Sequence, residues 1–449
     1  MKSERNIVIA VLCLICCGLG AQELSLDSCL QMARTNHPML KQAQLGVQRA
    51  EQVKMQAFTH YFPQVQGSAF GFHALHPVIE VGIEDIGNAT VRDLLTTLYG
   101  SFGEALGLDN TINLFEHGYM VGVTAVQPVF MGGKIIAGNQ LAKVGVEAAK
   151  LRADITERDQ LEQVEESYWL VYGLQQKQTI IDDANRLLDT ICRVVESSVQ
   201  AGLALPSDLA QVQIQRDEIA RQQMQLYSGL RLARGALALS IGLPNGDSIV
   251  VAEQAVMVDS LLPVDSAVVT TEHQLLALQI RAAQLEKRMA LADALPHLAV
   301  GANYSYSRWQ ANMLRDGLGG KTGNGALFVT LNVPLTEWWN TGHKLREKQY
   351  AIEQARIEAE YIGARLDLQT RQIYDQMTDA LAMMQIQQRT MDHAQQMYEL
   401  TRVNYEAGLA TITELLQAQT RLTKAQNDLT DAQIAYRVYC RRYKGRMEN

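Results

Sequence analysis

Positions 201–217 read Ala-Gly-Leu-Ala-Leu-Pro-Ser-Asp-Leu-Ala-Gln-Val-Gln-Ile-Gln-Arg-Asp, and positions 407–419 read Ala-Gly-Leu-Ala-Thr-Ile-Thr-Glu-Leu-Leu-Gln-Ala-Gln. At an offset of 206 they agree at Ala201/Ala407, Gly202/Gly408, Leu203/Leu409, Ala204/Ala410, Leu209/Leu415, Gln211/Gln417 and Gln213/Gln419, and Asp208 falls on Glu414. The same offset carries Pro128 onto Pro334, so two landmarks 74 residues apart recur with identical spacing. The chain is one architectural unit built twice, and the fold is read per repeat.

Around these stretches the sequence predicts long helices. No proline interrupts the span between Pro128 and Pro206 or the span after Pro334, and both are rich in Ala, Gln, Leu, Glu, Arg and Lys, which are good helix formers. Lys344 to Tyr405 alone predicts a rod of ~90 Å at ~1.5 Å per residue. Beyond Gly408, Leu415, Ala418, Leu422, Ala425, Leu429, Ala432, Tyr436 and Tyr439 keep a heptad, suited to close coiled-coil packing. The first repeat keeps Leu209, Val212, Ile219, Leu226 and Leu230 but sets Arg216 and Gln223 in the same stripe. Seams this narrow describe walls that touch neighbours on two sides and water elsewhere.

Strands are few. From Leu298 to Ser307 the chain alternates, with Leu298, Val300, Ala302, Tyr304 and Tyr306 on one face and Ala299, Gly301, Asn303, Ser305 and Ser307 on the other. At Arg308 and Trp309 the pattern inverts, so the apolar face is expected to end near Tyr306. An apolar face that ends in tyrosines, opposite small polar residues, is what a transmembrane β-strand needs. Ala326 to Leu335 and Tyr119 to Phe130 alternate too. Phe62 to Phe72 is the least regular, with breaks expected near Gly67 and Gly71. The loop 73–117 is expected to carry a short helix around Val91–Tyr99. Each repeat reads helix, strand, loop, strand, helix, tip turn, helix. The expected organisation is an export signal at 1–21, a first repeat at 22–245, a connector at 246–270 and a second repeat at 271–449. Four strands cannot close in lipid, since small membrane barrels have about eight and an open edge is prohibitive. Two, three or four copies would supply 8, 12 or 16 strands.

The bulk composition narrows the class. Lys2 and Arg5, the apolar run Ile7–Leu19 and Gly18-Leu19-Gly20-Ala21 form an export signal too short to span a bilayer. Cys17 lacks the small residue that lipid attachment wants just before it. Net charge is −8, and −9 once Lys2, Glu4 and Arg5 leave, which excludes nucleic acid as a partner. Cys29, Cys192 and Cys440 stand at no metal or redox spacing and are expected to pack as small apolar side chains. His60, His73, His76 and His117 lack acidic or cysteine partners, and Met383-Met384 reads as a packing pair. No nucleophile, phosphate-loop or metal motif appears. No catalytic residue, cofactor or metal site is assigned.

Across essentially all of the mature sequence the chain resembles the TolC family of outer membrane efflux proteins. The likeness is carried by Leu26-Asp-Ser-Cys-Leu-Gln-Met-Ala with Asn36-His-Pro, by Tyr61-Phe-Pro, by Gln127-Pro-Val-Phe-Met-Gly-Gly-Lys134, and by Tyr405-Glu-Ala-Gly-Leu with Glu414-Leu-Leu-Gln-Ala-Gln419. The resemblance implies an α+β membrane protein. It would be a homotrimer with a 12-stranded outer-membrane barrel, four strands per chain, continued by a periplasmic α-helical coiled-coil barrel. It further implies a passive exit duct of a tripartite efflux or type I secretion system in a Gram-negative cell. Such a duct is opened by a periplasmic adaptor and energised by an inner-membrane pump of resistance-nodulation-division or ABC type.

Carried over residue by residue, the resemblance implies tip turns and adaptor contacts at Gly202, Leu203, Gly408 and Leu409. Gate residues would be Tyr405, Asp208 and Glu414, with Gln417 where the family is normally acidic and Gln211 as its repeat partner. Ala410 stands where arginine is found in the best-known member. Tyr306, Trp338 and Trp339 are expected at the membrane interfaces. The rival reading of Asp208 and Glu414 is helix capping. Rival functions are a periplasmic adaptor, for which the split Gly-rich β domain and inner-membrane anchor are missing, and a structural coiled coil without a pore, which has no use for the Leu298–Tyr306 face.

Overall fold

The computed structural model describes residues 23–75, 79–106, 108–244, 246, 249–252, 270–314 and 318–447. The expected export signal, His76 and most of the expected connector lie outside them. In chain order the elements are β1 (Glu23–Leu24), α1 (Leu26–Asn36), α2 (Pro38–Thr59), β2 (Gln64–His73), β3 (Ile79–Gly82), α3 (Ala89–Leu106), β4 (Leu108–Met131), α4 (Lys134–Gln200) and α5 (Pro206–Ile241). There follow β5 (Val250–Val251), α6 (Thr271–Ala292), β6 (His297–Leu314), β7 (Leu318–Asn332), α7 (Glu337–Glu406) and α8 (Ile412–Met447). The proline-free spans are helices of 67 and 70 residues. Among the described residues no helix is long and apolar enough to cross a membrane.

Two compact units form, each drawing on both repeats: one holds the chain up to residue 50, 146–279 and from 356 on, the other 51–145 and 280–355. The first is built of helices. Ser25 caps α1, its Oγ accepting from Ser28 N at 3.2 Å, and β1 pairs in parallel with β5. Cys29 and Ala33 of α1 bury against Val164, Tyr168 and Trp169 of α4 and Leu237 and Ile241 of α5. Gly242, at φ +77°, ends α5 in the left-handed region, where Asn36 leaves no room for a Cβ. Cys192 and Cys440 are buried thiols in the other two cores. Met384 is buried beside Met377 and Tyr436, whereas Met383 is half exposed.

The α8 heptad is buried from Leu415 through Tyr436, and Tyr439 is partly covered. In α5, Val212, Ile219 and Leu230 are buried, and the two polar intruders find partners on α4. Arg216 Nε lies 3.2 Å from Asp189 Oδ1, and Gln223 Nε2 donates to Asp182 Oδ1 at 2.9 Å. The far end of α8 is held by charge. Arg441 reaches Glu165 at 3.1 Å, Arg442 Nε donates to Glu166 at 2.6 Å, and Arg446 donates to Glu272 at 2.8 Å. Glu272 also accepts from Arg158 at 2.6 Å. Burial pushes the Glu272 carboxyl up, but hydrogen bonds from Arg158, its own backbone N–H and Thr270, with the Arg158 charge, together hold it at about 2. Glu162 and Glu165 lack enough such compensation, and burial raises both.

The second unit holds an antiparallel sheet in the order β2-β4-β6-β7, with β3 on β4. β2 pairs with β4 in unbroken register from Gln64↔Val126 to His73↔His117, so no break occurs at Gly67 or Gly71. Glycine was tolerated there because backbone pairing, not side-chain pattern, sets the strand. β4, β6 and β7 also run beyond the expected strands, to 24, 18 and 15 residues, and α3 extends the short helix expected around Val91–Tyr99 to 18 residues. The apolar face of β6 gives way to Arg308 after Tyr306, as expected, while the strand itself runs on to Leu314 because ladder hydrogen bonds continue where hydrophobic alternation stops. β7 stops at Asn332, so Val333 to Leu335 fall outside it.

Exposure alternates along β6: Val300, Ala302, Tyr304, Tyr306 and Arg308 are exposed, while Gly301, Asn303, Ser305 and Ser307 are partly covered. Leu327, Val329 and Leu331 extend the exposed apolar face across β7, and Tyr119, Val121 and Val123 across β4. On the opposite face Asn303 Nδ2 donates to Thr124 Oγ1 at 2.7 Å, and the Phe328 ring covers Gly301. β2 departs from this plan: in register with Met120 and Gly118 it carries Phe70, itself exposed, and Phe72, stacked at 6.1 Å.

Candidate functional site: the paired hairpin tips

Two helical hairpins, α4–α5 and α7–α8, turn at the duplicated Ala-Gly-Leu-Ala. Gly202 sits at φ +72° and Gly408 at φ +74°, a conformation that costs a Cβ-bearing residue ~1–2 kcal/mol. Leu203 N donates to Ser198 O at 2.8 Å and Gly202 N to Val199 O at 3.0 Å. Leu409 N to Asn404 O at 2.8 Å and Gly408 N to Tyr405 O at 3.0 Å repeat the pattern. These six-to-one and shorter closures satisfy the last carbonyls of each outgoing helix. They also leave Leu203 and Leu409 at the outside of each turn, 84 % and 80 % exposed.

Both acidic residues start the return helices. Asp208 Oδ2 accepts from Leu205 N at 3.1 Å, and Pro206 fills the first helical position, where no N–H is needed. Glu414 Oε2 accepts from Thr411 N at 2.8 Å and from Thr411 Oγ1 at 3.0 Å, while Glu414 N donates back to Thr411 Oγ1 at 3.3 Å. That is a reciprocal capping box, legible in the sequence as Thr411-Ile-Thr-Glu414. The two Thr411 donors hold the Glu414 carboxyl below its ordinary value. Helix capping, the rival reading of these carboxylates, is therefore their geometry.

Tyr405 lies within reach of Asp208's field. Partial burial against the tip core raises its phenol, and the Asp208 carboxylate raises it further, so it stays protonated and able to donate. Gln211 Oε1 accepts from Thr413 Oγ1 at 2.7 Å, and Gln215 Nε2 donates to Thr420 Oγ1 at 3.1 Å. These bonds join α5 of one hairpin to α8 of the other, beside a shallow groove of about 370 Å³ that Gln417 and Arg421 also line. Thr413, Gln215 and Thr420 were not among the expected site residues, since a threonine or glutamine on a helix carries no signal until the opposing helix is in place.

In the sheet unit, Tyr306 packs 6.3 Å from Tyr119, ring to ring, and the Tyr304 ring lies over Gly323 and Gly325. Tyr119 and Tyr304 thus join Tyr306 in one aromatic patch. Trp339, in the first turn of α7, is 85 % exposed; the Trp338 side chain lies outside the described residues. The resemblance motif at 127–134 is structural. Gln127 Nε2 donates to Tyr61 O at 3.0 Å, Lys134 Nζ pairs with Asp293 at 2.6 Å, and Gly132, at φ +61°, abuts the Ala292 carbonyl. Among the described residues no group of three or more His, Cys, Asp or Glu side chains is placed to hold a metal ion.

A sheet with an exposed apolar face, together with capped pairs of very long helices, is the arrangement of the outer membrane efflux proteins. The outer membrane efflux protein family model matches residues 29–243 and 273–438, and the chain belongs to that family. Solved structures agree in fold. The Campylobacter jejuni CmeC outer membrane channel is 14 % identical, with 94 % of this chain and 84 % of that one covered and a TM-score of 0.72. Vibrio cholerae VceC, an outer membrane protein, is 15 % identical over 93 % and 94 %, at 0.70. The Neisseria gonorrhoeae MtrE outer membrane channel, solved in an open state, is 14 % identical over 94 % and 88 %, at 0.68. No curated protein matches the sequence.

Proposed function

We propose that three copies of this chain form a homotrimer whose twelve strands close one barrel in the outer membrane of a Gram-negative cell. Its helical hairpins line a periplasmic conduit, and the whole serves as the passive exit duct of a tripartite efflux or type I secretion assembly. The observation that carries this is the open sheet. β2 and β7 each have one unpaired edge beside an apolar face, which lipid does not tolerate. β2 and β6 run one way and β4 and β7 the other, so β7 of one copy meets β2 of the next antiparallel. Channels of this fold from several bacteria support the duct reading.

At the tips, the exposed Leu203 and Leu409 beside Gly202 and Gly408 supply apolar anchors for a periplasmic adaptor, and an inner-membrane pump supplies the energy. Tyr405, Asp208, Glu414, Gln211 and Gln417 narrow the conduit, with capping and gating combined in the two carboxylates. Tyr306, Trp338 and Trp339 mark the membrane interfaces, Tyr306 toward the outer surface. A pore-free coiled coil is the reading opposed by the exposed Val300–Tyr306 face.

Single-channel conductance of the purified protein in planar bilayers, with its mass measured in detergent, is the test. A trimer with discrete conductance steps is expected; a monomer without conductance overturns the reading. Val300→Arg is expected to cost ~2–4 kcal/mol near mid-bilayer and to impair assembly. Asn303→Arg, on the opposite face, is expected to assemble, and equal loss for both would refute the assigned face.

A further inference from the structure

One patch of the sheet breaks its two-faced plan. Residues opposite each other in a ladder share a face, so the registers sort the sheet into rungs. Val121 with Ala69 and Tyr306, and Val123 with Gly67 and Tyr304, belong to the apolar face. Thr124 with Gln66 and Asn303, and Gly122 with Ser68 and Ser305, belong to the other, which is small and polar as a water-filled lumen requires. The next rung of that polar face is Phe70, Met120 and Ser307, and Phe72 follows opposite Gly118. Phe70 is 61 % and Met120 46 % exposed, and the two phenyl rings stack at 6.1 Å. Phe328, farther along the same face, is folded down over Gly301 and partly covered. Phe70 has no such seat.

We infer that Phe70, Phe72 and Met120 form a binding site on the lumen side of the sheet for organic cations that carry an aromatic ring. This rests on the duct reading above, in which the polar face lines the conduit. The chemistry of the three side chains sets the ring. A phenyl face attracts a cation placed over it, and a thioether sulfur makes favourable contacts with ring edges. Gly118 and Gly122 flank Met120 on the same face of β4 and leave the backbone clear for a flat group. The neighbouring charge sets the sign. β2 passes from Phe72 through His73 into the loop 73–117, which holds seven acidic residues and one basic residue, Arg92, a net of −6 (one minus seven). Such a field concentrates cations and repels anions, over about 10 Å at 0.1 M salt. A small ammonium ion meets the field without using the rings, and an aromatic anion meets the rings against the field.

Saturation-transfer NMR on the detergent-purified protein tests this with three probes. Benzyltrimethylammonium carries a ring and a positive charge, tetraethylammonium the charge alone, and benzenesulfonate the ring with a negative charge. The first is expected to bind most tightly. Phe70→Ser with Phe72→Ser is expected to weaken it roughly five- to thirtyfold, the range that two exposed cation–ring contacts supply. Phe70→Leu with Phe72→Leu keeps the apolar bulk, removes the ring faces and is expected to weaken it too. Phe328→Leu is the control and is expected to leave the affinity unchanged. A trimer with discrete conductance steps whose affinity for benzyltrimethylammonium survives either double substitution overturns the inference and leaves the duct reading standing. Benzenesulfonate bound as tightly as benzyltrimethylammonium overturns the assignment to cations. A monomer without conductance overturns the duct reading, and with it the lumen that the site requires.

Discussion

The return helices α5 and α8 are each 36 residues long and stand at the same place in the two repeats, yet they bury different amounts of themselves. Fifteen residues of α8 are buried and seven of α5. The α8 heptad runs unbroken from Leu415 to Tyr436, whereas α5 interrupts its stripe at Arg216 and Gln223. In turn α5 shows water Ile214, Met224, Leu232 and Leu239, all more than two-thirds exposed, an apolar stripe of the kind that marks an interaction surface. Duplicated sequence has thus been given two jobs. α8 buries a continuous heptad face within the protomer, whereas α5 buries a sparser apolar set, Val212, Ile219, Leu230, Leu237 and Ile241 among them, and leaves a second apolar stripe in water.

The largest effect that would sharpen this contrast is at Tyr436, fully buried on α8 against Met377 and Cys440. Tyr436→Ala is expected to cost about 3–5 kcal/mol, as for other large buried aromatics. Leu232→Ser on α5 is expected to change protomer stability by no more than ~0.5 kcal/mol while weakening the proposed trimer on mild-detergent gels. Equal losses in thermal denaturation would erase the distinction.

Next in size is the charged end of α8, for which α5, ending at Gly242, has no counterpart. The Glu272 carboxyl is lowered from 4.5 to about 2, so its contribution is present above pH 4.5 and is lost as pH falls toward 2. That contribution is roughly 3 kcal/mol. Glu162 and Glu165 act in the opposite sense. Their raised values favour the folded state at low pH, and that favour fades as pH rises through them. Glu272→Gln is therefore expected to flatten the acid limb of the stability profile below pH 4.5, measured by denaturant midpoint; an unchanged acid limb would place the acid-sensitive group elsewhere.

A smaller effect separates the two caps. Glu414 holds two donors of Thr411 and Asp208 holds one of Leu205. Glu414→Ala should lower Tm more than Asp208→Ala, and the reverse order would show that Asp208 does more than cap. Smallest of all is Arg216→Leu, which removes a half-exposed ion pair with Asp189. Such pairs are worth ~0–1 kcal/mol, so stability should hardly move. A large loss would mean that Arg216 is part of a buried network rather than a half-exposed pair.

Much of this was legible in the chain. Proline-free spans gave the long helices, because proline alone removes a donor and clashes with the preceding turn. The alternation of Leu298–Tyr306 gave the exposed strand face, because side chains on a strand change sides at every residue. Gly202 and Gly408 gave the tips, because only glycine takes the left-handed turn at no cost. Strand ends were not legible. β6 continues to Leu314 and β4 begins at Leu108, since backbone pairing is indifferent to which side chains it carries.

Site residues divide along the same line. Asp208 and Glu414 were readable as caps because capping is local, satisfied within three residues. Thr413, Gln215 and Thr420 were not, because their partners lie about two hundred residues away and only helix packing brings them together. The sequence by itself determined the helices, the turns and the exposed face of the sheet, all of which depend on neighbours along the chain. Only the tertiary structure decided which flank of α5 meets which flank of α8, how Arg216 and Gln223 are compensated, and where charge clamps the end of α8. Those depend on distances between segments that local propensity does not encode.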